Sequence, residues 1–271
     1  MRRSNAMNAN GKNEALRKDN SSLLTPNSSL IKPAGDSALA VEFENEISIE
    51  VNSKVQALMK ALEARRAQTP GLLELVPSYR TLLVHYDPLR VDLDGLERLI
   101  NDCVSNLDIS ASSDALVTEI PVLYEPGEYA EDLEEIARIE GKSVDEIIKI
   151  HSQSLYYVYM LGFAPGHPYA ARFENPFSFK RRDTPRVRIN AGSIVVQLGL
   201  SDIIPFEQPC GWNIIGTTPL VMCDYQKANP FLLNAGQWIK YVPIDRAEFM
   251  KIKGQCERGE YECRTYRKEA E

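Results

Sequence analysis

The stretch Leu72-Leu73-Glu74-Leu75-Val76-Pro77-Ser78-Tyr79-Arg80-Thr81-Leu82-Leu83-Val84-His85-Tyr86 decides how the first half of the chain is read. Two apolar runs, Leu72–Val76 and Thr81–Tyr86, flank Pro77-Ser78-Tyr79-Arg80, a pattern that predicts a β-hairpin. Upstream, Val51, Val55, Leu58, Met59 and Leu62 recur at helical spacing, so residues 48–67 are expected to form an amphipathic helix that Pro70-Gly71 stops. The run from Ala38 to Phe43 before it reads as a strand. Downstream, Leu93, Leu96, Leu99, Ile100, Val104 and Leu107 make a second helical stripe, and Ala115–Leu123 returns as a strand. The order is β-α-β-β-α-β, so residues 33–125 are expected to form a ferredoxin-like domain. Such a sheet has a helix-free face and open edges, from which self-association is expected. The fold names no chemistry by itself.

On either side of this unit the pattern changes. Residues 1–32 are rich in Asn, Ser, Lys and Arg without an apolar period and are expected to be a disordered tail. After residue 125, Leu133, Ile136 and Ala137 mark a short helix with Gly141 as its C-cap. Ser143-Val144-Asp145-Glu146 is a capping box that starts another, with Val144, Ile147 and Ile148 as its stripe. From Leu155 to about Ile244, short β-branched or aromatic runs alternate with Gly and Pro turns, which suggests a β-barrel or sandwich. The second domain is thus expected over 126–245, and residues 246–271 read as a charged tail. The fold class is α+β.

Composition narrows the function classes. The chain has 271 residues and a formal charge of −7, a poor match to nonspecific nucleic-acid binding. No run of about 18 apolar residues occurs, so no membrane span is expected, and the N-terminus lacks the apolar stretch of a secretory signal. Five widely spaced cysteines without a CxxC fit a reducing, cytoplasmic setting; Cys256 and Cys263 have no nearby His to suggest a metal site.

Few residues could carry chemistry. Only three histidines occur, and no Ser/His/Asp or Cys/His set can be assembled from the sequence, so the catalytic residues are unknown. His151 lies on an apolar helix stripe near a C-terminus and reads as a half-buried structural residue helped by the helix dipole. His85 reads as a strand residue. Gly162-Phe163-Ala164-Pro165-Gly166-His167-Pro168-Tyr169 is a stiff loop whose backbone N–H groups could cradle an anion, without the GxxxxGK[ST] of a nucleotide loop. Lys180, Arg181, Arg182, Arg186 and Arg188 concentrate positive charge in an acidic chain, and guanidinium forks suit carboxylates and phosphates. In an extended strand Arg182 and Arg186 project to one face. They are expected to share a pocket with the Gly162–Gly166 loop and with Trp212 of the Pro209-Cys210-Gly211-Trp212 turn.

Several of these segments together resemble one family: the B subunits of 5-oxoprolinase, or the KipI/allophanate hydrolase subunit 1 family. The matching runs are Gly35-Asp36-Ser37-Ala38-Leu39, Pro77-Ser78-Tyr79-Arg80, Gly162-Phe163-Ala164-Pro165-Gly166, Thr184-Pro185-Arg186, Ala191-Gly192-Ser193 and Gly211-Trp212 with Ile215-Gly216. The resemblance implies a cyclophilin-like β-barrel after the ferredoxin-like domain. It implies ATP-dependent opening of 5-oxoproline to glutamate, with ATP, and Mg2+ beside it, in a site shared with a C-type subunit (allophanate hydrolase subunit 2 type). An A subunit completes the hydrolysis. The substrate-binding residues it suggests are Gly162, Phe163, Pro165, Gly166, Arg182, Arg186, Gly192, Ser193, Gly211 and Trp212. Two other functions share the resemblance: KipI-like inhibition of a histidine kinase, and a carboxyltransferase half acting on urea-like amides. The chain departs from the family pattern at His167, where an aromatic is usual, at Leu200 and Asp202, where Gln and Gly are usual, and at Cys210.

Overall fold

The computed structural model describes residues 30–109, 116–172 and 177–268. Its elements are β1 (Leu30–Pro33), β2 (Ala38–Glu42), α1 (Ile49–Ala64), β3 (Leu72–Pro77), β4 (Thr81–Tyr86) and α2 (Leu93–Ser105), followed by β5 (Leu116–Leu123), α3 (Leu133–Glu140), α4 (Val144–Gln153), β6 (Leu155–Leu161), β7 (Pro168–Ala171), β8 (Arg186–Ile189), β9 (Ser193–Gln197), β10 (Leu200–Ile203), β11 (Gln208–Cys210), β12 (Asn213–Thr217), β13 (Trp238–Ile244), α5 (Arg246–Glu257) and β14 (Thr265–Arg267).

The hairpin and both helices of the first half form where the apolar spacing places them. Ser48 and Asp92 cap α1 and α2 by accepting from Val51 N and Gly95 N, which satisfies backbone donors that a helix start leaves open. Val55, Leu58 and Leu62 of α1 and Leu96 and Ile100 of α2 are fully buried against Leu39, Val41, Leu82 and Val84. Each such side chain contributes about 1.5–3 kcal/mol.

The final strand of the expected βαββαβ unit is a correction. The first sheet runs β1-β2-β4-β3, all antiparallel. The place beside β2 that the last strand would take is filled by Leu30–Pro33, whose first three residues belong to the expected tail. The rest of that tail, residues 1–29, lies outside the described residues. Leu116–Leu123 instead pairs in parallel with β13 over seven residues, from Trp238 opposite Val117 to Ile244 opposite Leu123. The physical reason is burial on both faces: Val117, Thr118, Ile120, Val122 and Leu123 are all buried, and a barrel wall covered outside by further elements provides that, whereas a sheet with one open face does not.

The second sheet closes into a seven-stranded barrel in the order β12-β9-β10-β7-β6-β13-β5, with Thr217 of β12 opposite Leu123 of β5. Ile120, Val122, Ile194, Val196, Ile203 and Ile239 fill the interior, and α3 and α4 add Leu133, Ile136 and Ile147. The capping box forms as read, with Ser143 and Glu146 bonded reciprocally, and Gly141 caps α3 at φ 62°. Residues after 245 are not a loose tail: Asp245 caps α5, which buries Phe249 and Ile252, and β14 adds to β5. That sparse apolar stripe is diluted among charges in sequence.

Two further features position the site. Strands β8 and β11 form a separate ribbon over the outer wall of the barrel, packing Ile189, Cys210 and Trp212 against Val195, Ile204 and Ile214. The polar side of α1 is not solvated but docks on β6. Asn52 donates to the carbonyls of Ser78, Tyr79 and Tyr159 at 3.0–3.2 Å and accepts from Tyr157 Oη at 3.1 Å. Thus the hairpin turn carrying Tyr79 is tied to the barrel wall. No helix among the described residues is long and apolar enough to cross a membrane.

Candidate functional site

The loop between β6 and β7 is built from two tight turns. Ala164 N–H donates to Gly162 O at 2.7 Å across Phe163, whose φ is 65°. This is a γ-turn, which few non-glycine residues adopt. His167 N–H then donates to Ala164 O at 3.0 Å across Pro165-Gly166, with Gly166 at φ 77°, the residue order a type II turn requires. A Cβ on Gly166 would stand 2.9 Å from Cys223 Cβ, so the loop rests directly on the 222–223 backbone. Because the N–H groups of Gly162, Ala164 and His167 are used within the loop, it does not offer the row of free donors that its composition suggested. It offers a ring instead: Phe163 is 73% exposed, an apolar surface held out by a strained backbone.

That ring borders a cavity of about 300 Å³ between the loop, the β8–β11 ribbon and the outer face of β9 and β10. Phe163, Tyr169 and Trp212 form apolar walls, Arg181 stands at its edge, and His167 and Asp202 lie in its floor. Arg181 lies across the backbone of Gly211, where a Cβ would meet its Nη2 at 2.8 Å. Glycine at 211 is therefore what lets the guanidinium rest on the turn. Of the residues suggested by sequence, Phe163, Gly211 and Trp212 line this cavity, while Gly162, Pro165 and Gly166 shape its loop.

Arg182 and Arg186 are a correction. Neither lines the cavity. Both converge on the buried Asp132, with Arg182 Nη1 at 2.8 Å and Arg186 Nη2 at 2.7 Å from the same oxygen, while Asp132 Oδ2 accepts from Ile214 N at 2.7 Å. Arg186 also pairs with Glu131 at 3.1 Å. Burial disfavours the Arg186 charge, but Asp132 and Glu131 outweigh it and raise the pKa above its ordinary value. The two arginines do converge, but not by strand period, since Arg182 precedes β8 across a bend at residues 183–184, and a carboxylate fifty residues upstream already occupies the place where they meet. Arg181, one residue earlier, faces the cavity.

Gly192 and Ser193 serve a different place. Gly192, at φ 83°, donates to Ile204 O and accepts from Thr218 N at 2.8 Å, and a Cβ there would meet Thr218 O at 2.3 Å. Ser193 lines a second, larger cavity of about 470 Å³. That cavity is bordered by Glu128 and Glu131, with Lys253 as its cation, so an anionic ligand meets like charge there. The smaller cavity, with Arg181 and aromatic walls, is the better site for a small carboxylate.

The floor of the smaller cavity holds the pair the sequence did not reveal. His167 Nε2 lies 3.2 Å from Asp202 Oδ2, Asp202 Oδ1 accepts from Ala170 N at 3.1 Å, and the Gln208 amide lies 3.3 Å from His167 Nδ1. His167 stacks on Tyr169 at 5.3 Å and meets the edge of Phe163. Burial pushes the Asp202 carboxyl up, opposed by His167 and the Ala170 N–H. Burial also pushes up the Cys210 thiol, which makes it a poor nucleophile. The departures from the family pattern at His167, Asp202 and Cys210 line this one cavity. Leu200 packs with Tyr157 and Tyr159 on the wall beside it.

His151 is structural. It is fully buried inside the barrel, bonded to Tyr124 Oη at 2.6 Å and Ser201 Oγ at 2.8 Å and stacked on Tyr241 at 4.4 Å. Burial lowers its pKa to about 3, so enclosure rather than the helix dipole decides its state. No cluster of three or more His, Cys, Asp or Glu that could hold a metal ion is found among the described residues.

Residues 29–233 match the family "Carboxyltransferase domain, subdomain C and D". The chain is 34% identical over 233 residues to the 5-oxoprolinase B subunit of Bacillus subtilis, covering 82% of this chain and 96% of that protein. It is 31% identical over 212 residues to the 5-oxoprolinase B subunit of Haemophilus influenzae, covering 78% and 96%. Among solved structures, TTHA0988 superposes with a TM-score of 0.66 at 34% identity over 78% of this chain, which spans only 40% of that longer one. Urea carboxylase of Kluyveromyces lactis superposes with a TM-score of 0.69 at 16% identity over 90% of this chain and 24% of that one, a likeness of fold.

Proposed function

This chain belongs to the carboxyltransferase-domain family, subdomains C and D, and within it to the 5-oxoprolinase B subunits, and from that premise we propose that it is the B-type subunit of an ATP-dependent enzyme that opens 5-oxoproline to glutamate in the cytoplasm. The observation that carries this reading is the convergence of Arg181, Phe163 and Trp212 on one small cavity. A lactam acid has an apolar ring for aromatic walls and a carboxylate for a guanidinium fork.

The chemistry explains why a partner is needed. Amide resonance protects the lactam from water. Transfer of a phosphoryl group to its carbonyl oxygen makes the carbon electrophilic and gives it a leaving group, and stabilising the transferring charge is then the main task. The described residues present neither a nucleotide loop nor an acidic metal cluster. We therefore place triphosphate and magnesium in a site shared with a C-type subunit, and regard this chain alone as inactive. That the chain spans 40% of TTHA0988 is consistent with a B-type segment working beside further polypeptide.

The test is co-expression with a C-type subunit, with and without an A subunit, followed by assay of ATP hydrolysis across 5-oxoproline, other lactams and urea-like amides. The reading expects 5-oxoproline-stimulated hydrolysis by the complex and none by the chain alone. Stimulation by urea-like amides only, or inhibition of a histidine kinase without lactam turnover, would replace it.

A further inference from the structure

The floor of the cavity has a defined hydrogen-bonding polarity. Asp202 is an acceptor at both oxygens, taking the Ala170 N–H at one and facing His167 Nε2 with the other. A carboxylate accepting at that position fixes the imidazole proton on Nε2 and leaves Nδ1 as a lone-pair acceptor. The Gln208 amide nitrogen, 3.3 Å from Nδ1, is a donor already in that position. Gln208 is only half-buried on the short strand β11, so it can yield its place, whereas Asp202 and His167 are 1% and 6% exposed.

We propose that His167 is the residue that recognises the N–H of the ligand's cyclic amide, with Asp202 as the positioning residue that sets its tautomer; this rests on reading the cavity as a lactam site. The ligand N–H replaces the Gln208 donor at Nδ1, its ring lies between Phe163 and Trp212, and its carboxylate meets Arg181. The consequence is specificity. A lactone of the same ring and carboxylate presents an oxygen lone pair where the lactam presents a donor, so two acceptors would face each other. A site built around a substrate N–H rejects an analogue lacking it far more strongly than a shape-matched pocket does. Aromatic rings flank the imidazole of the pair. Tyr169 stacks on it from β7, Tyr79 of the hairpin turn contacts Tyr169 at 6.4 Å, and Cys210 and Arg181 border the same floor.

The experiment titrates the full chain, co-purified with its C-type subunit, with 5-oxoproline and with its lactone counterpart by calorimetry, and reads the His167 tautomer by 15N NMR. Wild type is expected to show the Nε2–H tautomer and to bind the lactam at least about tenfold more tightly, the value of one good hydrogen bond to a buried acceptor. Asp202→Asn keeps an acceptor for Ala170 N–H but donates to Nε2, which moves the ring proton to Nδ1. The preference should then fall to parity or invert toward the lactone, an outcome that a merely structural role would not produce. If Asp202→Asn does not fold, the double variant His167→Phe/Asp202→Asn keeps the ring without a buried charge and is expected to bind the two ligands equally. Retention of the lactam preference in either variant, or an Nδ1–H tautomer in wild type, overturns the assignment of His167 while leaving the lactam site in place. Binding of neither ligand to wild type overturns the lactam site, and this assignment with it.

Discussion

Ser201 and Asp202 are neighbours on β10, yet each meets a histidine on the opposite face of the barrel wall. Ser201 points inward to His151, where Tyr124, Tyr241 and the core close the network on all sides. Asp202 points outward to His167 beneath a cavity. Both histidines are buried, so burial alone does not separate a structural histidine from a functional one. The partners do. Hydroxyls can donate or accept, so they satisfy a neutral ring without directing it, and the ring at 151 simply completes a core. A carboxylate can only accept, so it directs the ring at 167 and leaves one nitrogen aimed outward.

The same contrast separates the arginines, and the largest expected effect lies there. Asp132→Ala removes the carboxylate that Arg182 and Arg186 share and strands the Ile214 N–H, so it should cost about 3 kcal/mol in urea unfolding. A cost under about 1 kcal/mol would show that both guanidiniums are solvated, and the contrast with Arg181 would collapse.

Next is the acid limb of stability. His151 stays neutral in the fold until about pH 3, whereas an unfolded histidine protonates near 6.5. Between those values only the unfolded chain binds the proton, so stability falls as pH falls, by about 1.4 kcal/mol per unit once below pH 6 and by about 2 kcal/mol from pH 7 to 5. His151→Phe should remove that part of the slope while destabilising the chain at pH 7. An unchanged slope would mean the ring is reached by water.

How much of this was legible in the sequence depended on range. The hairpin at 72–86, the Ser143–Glu146 box and the Gly141 cap are local patterns, and they formed as read. The sheet that Leu116–Leu123 joins is set by partners more than a hundred residues away, and Leu30–Pro33 enters the first sheet as an edge strand of four residues, too short to show a period. The cavity loop and the Gly211-Trp212 turn stood out by glycine and proline density. Asp132 and Asp202 did not, because nothing local marks a lone aspartate as the partner of a side chain fifty or thirty-five residues away. Thus the charge cluster was visible, but which arginine was left for a ligand was not.

Two smaller effects sharpen that last point. Arg186→Lys loses the fork that spans Glu131 and Asp132 and should cost about 1 kcal/mol of stability with 5-oxoproline affinity unchanged. Arg181→Lys should do the reverse: under about 0.5 kcal/mol in unfolding, since the residue is exposed, but about tenfold in affinity, measured by calorimetry on the complex. Equal affinity losses in both variants would merge the two clusters into one site.

The most direct measurement is a structure of the chain with its C-type subunit and 5-oxoproline bound. The lactam ring is expected between Phe163 and Trp212, its carboxylate on Arg181 and its N–H on His167 Nδ1, with the Gln208 side chain displaced. A ligand bound instead in the cavity at Ser193, or on Arg182 and Arg186 with Asp132 displaced, would contradict that placement.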